Sequence, residues 1–280
     1  MTELIHFKKM HGLGNDFVII DGRETGVNLT PDQVRFIADR KRGIGCDLVA
    51  LIKYSKTWQE MPFVHLINAD GSEIEACGNA ARCIADILMT KEGTDNIVIE
   101  TLYGSLNCWK EKGGLIRVEM GKPELEWNKI PLAEDVDILN LPLNIKGLDN
   151  PATVSMGNPH CIFFVDNIED KWTDKAVEEV GSALEVHPMF PNKTNVEFVE
   201  VLSPKHLRMR IWERGCGITE ACGSGACAIV VAAIKRGLTE RKVKVTLDGG
   251  DLIIDWPNDE APVSMTGPVA YVFDGQLELL

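Results

Sequence analysis

Two cysteines stand in matching frames. Glu75-Ala76-Cys77-Gly78-Asn79-Ala80-Ala81 recurs as Glu220-Ala221-Cys222-Gly223-Ser224-Gly225-Ala226, 145 positions on (77 to 222). In both frames glycine follows the cysteine, and a proline-free, alanine-rich segment follows the glycine. That pattern puts a sulfur at a helix start, where unpaired N–H groups carry partial positive charge. A thiolate is stabilised there and its pKa is expected to fall. The same N–H groups can hold a carboxylate, and glycine lets a ligand approach the backbone. Doubled, the arrangement suits stereochemical inversion at an amino-acid α-carbon. One thiolate removes the proton, the opposite thiol returns one, and the two helix starts stabilise the charge that spreads onto the carboxylate. Either cysteine taken alone fits a helix-start packing residue better; the in-register repeat favours chemistry.

A second repeat supports the first. Gly14-Asn15-Asp16-Phe17 corresponds to Gly157-Asn158-Pro159-His160, 143 positions on (15 to 158), and each leads into an apolar strand, 16–21 or 160–166. Two matches in the same order at nearly one offset imply two halves of similar fold. The elements that must position the cysteines follow in each half. A helix opens on the capping box Thr30-Pro31-Asp32-Gln33, and its counterpart covers about 173–185. Strands are expected at 47–52 and 62–68, then at 195–202 and 207–213. The cysteine helices run from Gly78 to about Lys91 and from Gly223 to about Arg236. The second is apolar nearly all round and should be buried. Strands at 96–102 and 242–247 close the pattern. Segment 121–150 reads as a link with loops. A last strand at about 269–279 has no counterpart in the first half. The expected division is 1–122 with a returning strand at 268–280, then 123–267, with the site in the cleft between the two lobes.

Composition narrows the class. The chain has 280 residues, 45 % of them hydrophobic, enough to bury a core in about two domains. A formal charge of -13 argues against a nucleic-acid partner. The N-terminus lacks a signal-peptide pattern, and the longest apolar run, 227–234, is too short to span a bilayer, so a cytoplasmic protein with no membrane partner is expected. The eight cysteines are read as reduced thiols, and no Cys-x-x-Cys pair points to a metal.

The residues then resemble a known family, the diaminopimelate epimerases. The resemblance runs through His11-Gly12-Leu13-Gly14-Asn15-Asp16-Phe17, Asn68-Ala69-Asp70-Gly71-Ser72-Glu73, Ala76-Cys77-Gly78-Asn79, Arg82-Cys83, Met156-Gly157-Asn158-Pro159-His160, Asn195-Val196-Glu197-Phe198, Glu213-Arg214-Gly215 and Ala221-Cys222-Gly223-Ser224-Gly225. It implies an α/β (α+β) fold of two pseudo-symmetric lobes, each a curved, mostly antiparallel sheet around a central helix. It implies an isomerase with no cofactor, acting on a small amino-acid substrate, LL-2,6-diaminopimelate, on the way to lysine and peptidoglycan precursors, and usually a homodimer. By the same resemblance Cys77 and Cys222 are the acid/base pair, and the backbone of Gly78-Asn79 and Gly223-Ser224 holds the carboxylate at the reacting carbon. Asn15, Asn68, Asn158, Asn195, Glu213 and Arg214 bind the rest of the substrate, and His160 and Glu213 tune the thiols. Arg214 can grip a distal carboxylate bidentately. For any one asparagine, Asn15 and Asn158 above all, a turn role fits as well. One position departs from the family. After Gly43-Ile44-Gly45-Cys46-Asp47 the family has a glutamine lining the substrate site, and this chain has Leu48.

Other readings of the two thiols are another two-cysteine racemase of the proline or histidine kind, a non-catalytic amino-acid-binding protein, and a thiol peroxidase or redox sensor working through a Cys77–Cys222 disulfide. The Glu213-Arg214 pair argues for a substrate with a polar distal end. A pyridoxal-phosphate enzyme would need a Schiff-base lysine, and no lysine stands in the repeated frames.

Overall fold

The computed structural model describes residues 4–58, 61–74, 77–102 and 104–279. Glu75 and Ala76 of the first cysteine frame lie outside the described residues. The chain divides into two compact units, Met1–Val118 with Gly267–Leu280, and Glu119–Thr266.

The first unit contains β1 (Leu4–Gly12), β2 (Asn15–Asp21), α1 (Pro31–Ala38), β3 (Leu48–Tyr54), β4 (Pro62–Asn68), β5 (Glu73–Ile74), α2 (Gly78–Glu92), β6 (Asn96–Thr101), β7 (Gly104–Lys110) and β8 (Ile116–Glu119). β1–β2, β3–β4, β4–β5, β6–β7 and β7–β8 pair antiparallel, while β2–β3 and β4–β6 are parallel. Both parallel pairs are bridged by a helix, α1 for one and α2 for the other, as a crossover requires.

The second unit begins with a short hairpin, β9 (Asn144–Ile145) and β10 (Leu148–Asp149). It continues with β11 (Ala152–Ser155), β12 (Pro159–Phe164), α3 (Ile168–Lys171), α4 (Asp174–Glu185), β13 (Asn195–Ser203), β14 (His206–Glu213), β15 (Gly217–Ile218), α5 (Gly223–Lys235), β16 (Lys242–Leu247), β17 (Gly250–Asp255) and β18 (Ser264–Gly267). From β11 onward its pairings repeat those of the first unit, with β12–β13 and β14–β16 parallel and β11–β12, β13–β14, β14–β15, β16–β17 and β17–β18 antiparallel. The duplication therefore extends past β6 and β16, where the sequence pattern stopped, through β7–β8 and β17–β18. A final strand, β19 (Ala270–Glu278), lies antiparallel to β1.

Each unit is built in layers around its cysteine helix. Gly78 to Ala85 of α2 and Gly225 to Ala233 of α5 are buried without interruption. Successive residues on a helix point 100° apart, so such runs are covered on every side and the sheet must wrap around them. On the outer face α1 packs Val34 and Ile37 against Val18, Ile20, Val49 and Leu51. α4 packs Val177, Val180 and Leu184 against Cys161, Phe163, Val196 and Phe198. The middle strands are thus buried on both faces and read as unbroken apolar runs. α1 starts on the expected capping box: Gln33 N donates to Thr30 Oγ1 at 3.3 Å, and Thr30 N donates to Gln33 Oε1 at 3.0 Å. No described helix is long and apolar enough to cross a membrane.

Candidate active site

Cys77 is the N-cap of α2 and Cys222 the N-cap of α5, both with extended backbone. Gly78 and Gly223 are therefore the first helical residues, and the N–H groups of the first turns lack intrahelical acceptors. Around Cys77 the chain gathers residues from the β1–β2 hairpin and from the segment just before β3. Leu13 and Gly14, both with positive φ, close a two-residue hairpin in which Gly12 pairs with Asn15. This sets Asn15 beside the helix start: Cys77 Sγ donates to Asn15 Oδ1 at 3.6 Å, and Asn79 Nδ2 donates to the same oxygen at 3.4 Å. Asn15 Nδ2 in turn donates to Asp47 Oδ2 at 2.9 Å. Gly12 permits the approach, since a Cβ there would stand 2.9 Å from Arg82 Nη2 and 3.3 Å from Asn79 Cβ.

Behind Asn15 lies a charged cluster that the sequence reading did not single out. Arg40 donates to both oxygens of Asp16, at 2.8 and 2.9 Å, and to Asp47 Oδ1 at 2.8 Å. The buried Lys9 donates to Asp16 Oδ2 at 2.6 Å. Burial opposes ionisation of Asp16, but Arg40 and Lys9 outweigh it and hold the carboxyl well below the usual range.

The second unit surrounds Cys222 differently. Its Sγ accepts from Gly225 N at 3.4 Å and lies 3.4 Å from Ser224 Oγ. Asn158 Nδ2 donates to Ser224 Oγ at 3.3 Å, and Asn158 Oδ1 lies 3.0 Å from His160 Nε2. The other nitrogen of the fully buried His160 is hydrogen-bonded to Glu197 Oε1. Glu197 Oε2 has no hydrogen-bond partner among the described residues. Burial pushes the Glu197 carboxyl up, with His160 pulling against it. Glu213 receives the Thr219 hydroxyl, and burial raises it too.

Burial and then the charge of Glu213 push the Cys222 thiol far up, against the pull of Ser224 and the Gly225 N–H. The expected lowering at a helix start is therefore reversed at Cys222, because desolvation of a buried anion exceeds what the helix terminus returns. Cys222 rests as a thiol.

The remaining sequence-predicted residues are placed as follows. Asn68 Nδ2 donates to Ser72 Oγ at 2.9 Å. Asn195 is buried and spends its amide on the backbone, donating to Pro159 O at 3.0 Å and accepting from Arg214 N at 2.9 Å. It thereby fixes the turn that carries Arg214, whose Nη1 donates to Asn192 O at 3.1 Å. Leu48 is buried at the start of β3, paired with Phe17 on one side and Asn68 on the other. Within the first unit Asn15, Asn79 and Cys77 meet; within the second Asn158, His160, Ser224, Glu213 and Cys222 do. Glu197 was missed as a site residue, although an acidic side chain inside Asn195-Val196-Glu197-Phe198-Val199 is a usable signal, since carboxylates are rarely buried without a purpose. Asp16, Arg40 and Lys9 carry no comparable local signal. Among the described residues no group of three or more His, Cys, Asp or Glu side chains could hold a metal ion.

The diaminopimelate epimerase family pattern matches residues 7–126 and 152–272, which is most of the chain. The chain belongs to the diaminopimelate epimerase family. It is 47 % identical to the diaminopimelate epimerase of Rhodospirillum centenum over 271 residues, covering 97 % of this chain and 91 % of that one. It is 45 % identical to that of Acidiphilium cryptum over 272 residues, covering 97 % and 96 %. The fold is also that of a hydroxyproline epimerase from Agrobacterium vitis, with a TM-score of 0.73 at 14 % identity over 100 % of this chain and 94 % of the other. Family membership makes the chain an isomerase. The family match omits 127–151, where the β9–β10 hairpin stands outside the duplicated elements.

Proposed function

We propose that this chain converts LL-2,6-diaminopimelate to the meso form, without a cofactor, by exchanging one α-proton between two cysteines. The carrying observation is that each duplicated unit caps its buried central helix with a cysteine. Inversion by this route needs one sulfur on each face of the α-carbon, so both half-sites must act on one substrate molecule. In one direction the Cys77 thiolate takes the α-proton, and an S–H bond forms as the C–H bond breaks. The electron pair spreads into the carboxylate, held by the N–H groups of Gly78, Asn79, Gly223 and Ser224. Removing one such donor typically costs about 3 kcal/mol of barrier. Cys222, resting as a thiol, then protonates the opposite face and is left as the thiolate. The return direction exchanges the roles.

Arg214 and Glu213 recognise the distal amino-carboxylate end, with Asn15, Asn68 and Asn158 completing the polar wall. Asn195 acts through the Arg214 turn. His160 and Glu213 tune the Cys222 half-site. The reaction belongs to lysine and peptidoglycan precursor synthesis, and we place it in a cytoplasmic homodimer on the strength of the family. Light scattering reads the dimer directly.

The test is incubation with LL-diaminopimelate in deuterated water. Meso product carrying one deuterium at the inverted carbon is expected, and Cys77→Ala and Cys222→Ala should each abolish it. Absence of both product and label, or turnover that survives both variants, defeats the proposal. Exchange confined to another amino acid would identify a different racemase.

A further inference from the structure

We propose that Asp47 is a positioning residue for Cys77, acting through Asn15 to keep a carbonyl oxygen rather than an amide N–H facing the sulfur. This rests on the two-thiol reading above. A side-chain amide has an accepting end and a donating end. A carboxylate only accepts, so Asp47 Oδ2 selects the donating end of Asn15, at 2.9 Å. The accepting end is then turned to Cys77 Sγ and Asn79 Nδ2.

Asp47 is itself held on three sides. Arg40 Nη2 donates to its Oδ1 at 2.8 Å, Asp16 N donates to its Oδ2 at 3.1 Å, and its own N–H donates to Asp16 Oδ1 at 2.9 Å. Lys9 and Arg40 fix Asp16 in turn. Arg82 and Cys83 stand on the same helix as Cys77.

The second unit supplies an internal contrast. Asn158 has the opposite orientation: its oxygen faces His160, and its nitrogen faces Ser224. The duplication alone therefore does not decide which end of the asparagine faces the helix start; the anchor does, Asp47 in one unit and His160 in the other. An acceptor beside sulfur stabilises S–H relative to S⁻. Asp47 thus sets how firmly Cys77 keeps the proton it has taken, which is its task when it serves as the acid in the return direction.

The experiment uses Asp47→Asn. Arg40 claims the oxygen of the new amide at the Oδ1 place, so its nitrogen takes the Oδ2 place, gives up the Asp16 N–H bond, faces Asn15 and turns that amide round. In a Cys222→Ala background, the pH dependence of iodoacetamide alkylation at Cys77, read by peptide mass spectrometry, reports the thiolate directly. Its midpoint should fall by about one unit in Asp47→Asn. In the two-cysteine enzyme kcat in the direction where Cys77 is the acid should fall by up to roughly tenfold, the factor that one pKa unit is worth, with a smaller change in KM. Asp47→Glu should restore most of both. An unchanged midpoint and kcat, in an enzyme that still requires Cys77, overturns this proposal alone, whereas turnover without Cys77 overturns the two-thiol reading beneath it. Should Asp47→Asn fail to fold, Asn15→Leu removes the same acceptor and must show the same downward midpoint; an unmoved midpoint there also overturns the proposal.

Discussion

Leu48 stands directly across from Asn68 in the β3–β4 ladder, and Phe17 flanks it on β2. The three share a sheet face, because Val18 and Val49, their neighbours in sequence, point into the outer core. In the second unit β12 pairs His160 with Asn195, and Glu213 follows one step beyond the Val196–Trp212 pair. The register therefore superposes Phe17-Leu48-Asn68 on His160-Asn195-Glu213. One duplicated frame carries a mainly apolar row, the other a polar one.

Leu48→Gln follows from that row. A polar substrate group facing leucine forgoes a hydrogen bond, a loss of about 1–3 kcal/mol. We expect the glutamine variant to lower KM for diaminopimelate at least about fivefold, the smallest factor in that range, with kcat little changed. It should also melt earlier, because it places an amide where a buried leucine packed. Steady-state kinetics beside a thermal melt checks both; an unchanged or raised KM means that no polar substrate group meets this position.

Glu213→Gln isolates the second thiol. After burial, the Glu213 charge is the main influence raising the Cys222 pKa, so removing it lowers that pKa. Substrate-free alkylation of Cys222 at neutral pH should accelerate in the variant, while alkylation of the exposed Cys216 serves as the internal reference. A Cys222 rate that stays level relative to Cys216 would remove Glu213 as a tuning residue.

Asp16 links the charged cluster to stability. Its folded pKa is depressed, so its contribution is present above the ordinary unfolded value of about 3.9 and is lost as pH falls through the folded one. Asp16→Asn should cost about 1–3 kcal/mol at neutral pH, since Arg40 is largely exposed and solvent screens part of the pairing. Urea melts across the acid range should show wild type and variant converging as the pH drops. A gap that persists undiminished into strong acid would assign the loss to packing instead of charge.

The cysteine frames were legible because a repeated run of residues is visible without any structure. So were the middle strands and both central helices, whose apolar patterns are local. The unequal rows were hidden. Phe17 and His160, Leu48 and Asn195, or Asn68 and Glu213 share no side-chain type in any pair, and only strand register matches them. β1 escaped because Lys8 and Lys9 break its alternation, although Lys9 is buried and spends its charge on Asp16. The Lys9-Asp16-Arg40-Asp47 cluster draws on four separate stretches, joined only by the β1–β2 hairpin and the parallel β2–β3 pairing. The resting state of Cys222 could not be read either, because burial and Glu213 reverse what the helix start alone implies.

The last departure from exact repetition has a packing cause and yields a test by sign. Ala80 of the first cysteine frame corresponds to Gly225 of the second, and Ala50 on β3 corresponds by register to Glu197 on β13. A Cβ at Gly225 would lie 3.0 Å from Glu197 Oε1 and 3.1 Å from Ile211 Cδ1. The glycine thus makes room for the carboxylate that bonds His160. In the wild-type background Gly225→Ala must force that carboxylate aside, an overpacking cost of about 1–3 kcal/mol that exceeds or cancels the roughly 1 kcal/mol gained in helix propensity. In a Glu197→Ala background the second unit acquires the alanine pair of the first, the clash with Glu197 is gone, and the propensity gain should remain. Gly225→Ala is therefore expected to be neutral or destabilising in the wild type and to stabilise Glu197→Ala, a coupling of about 2 kcal/mol in a double-mutant cycle of denaturant melts. Equal effects in the two backgrounds would show that Glu197 does not dictate the glycine.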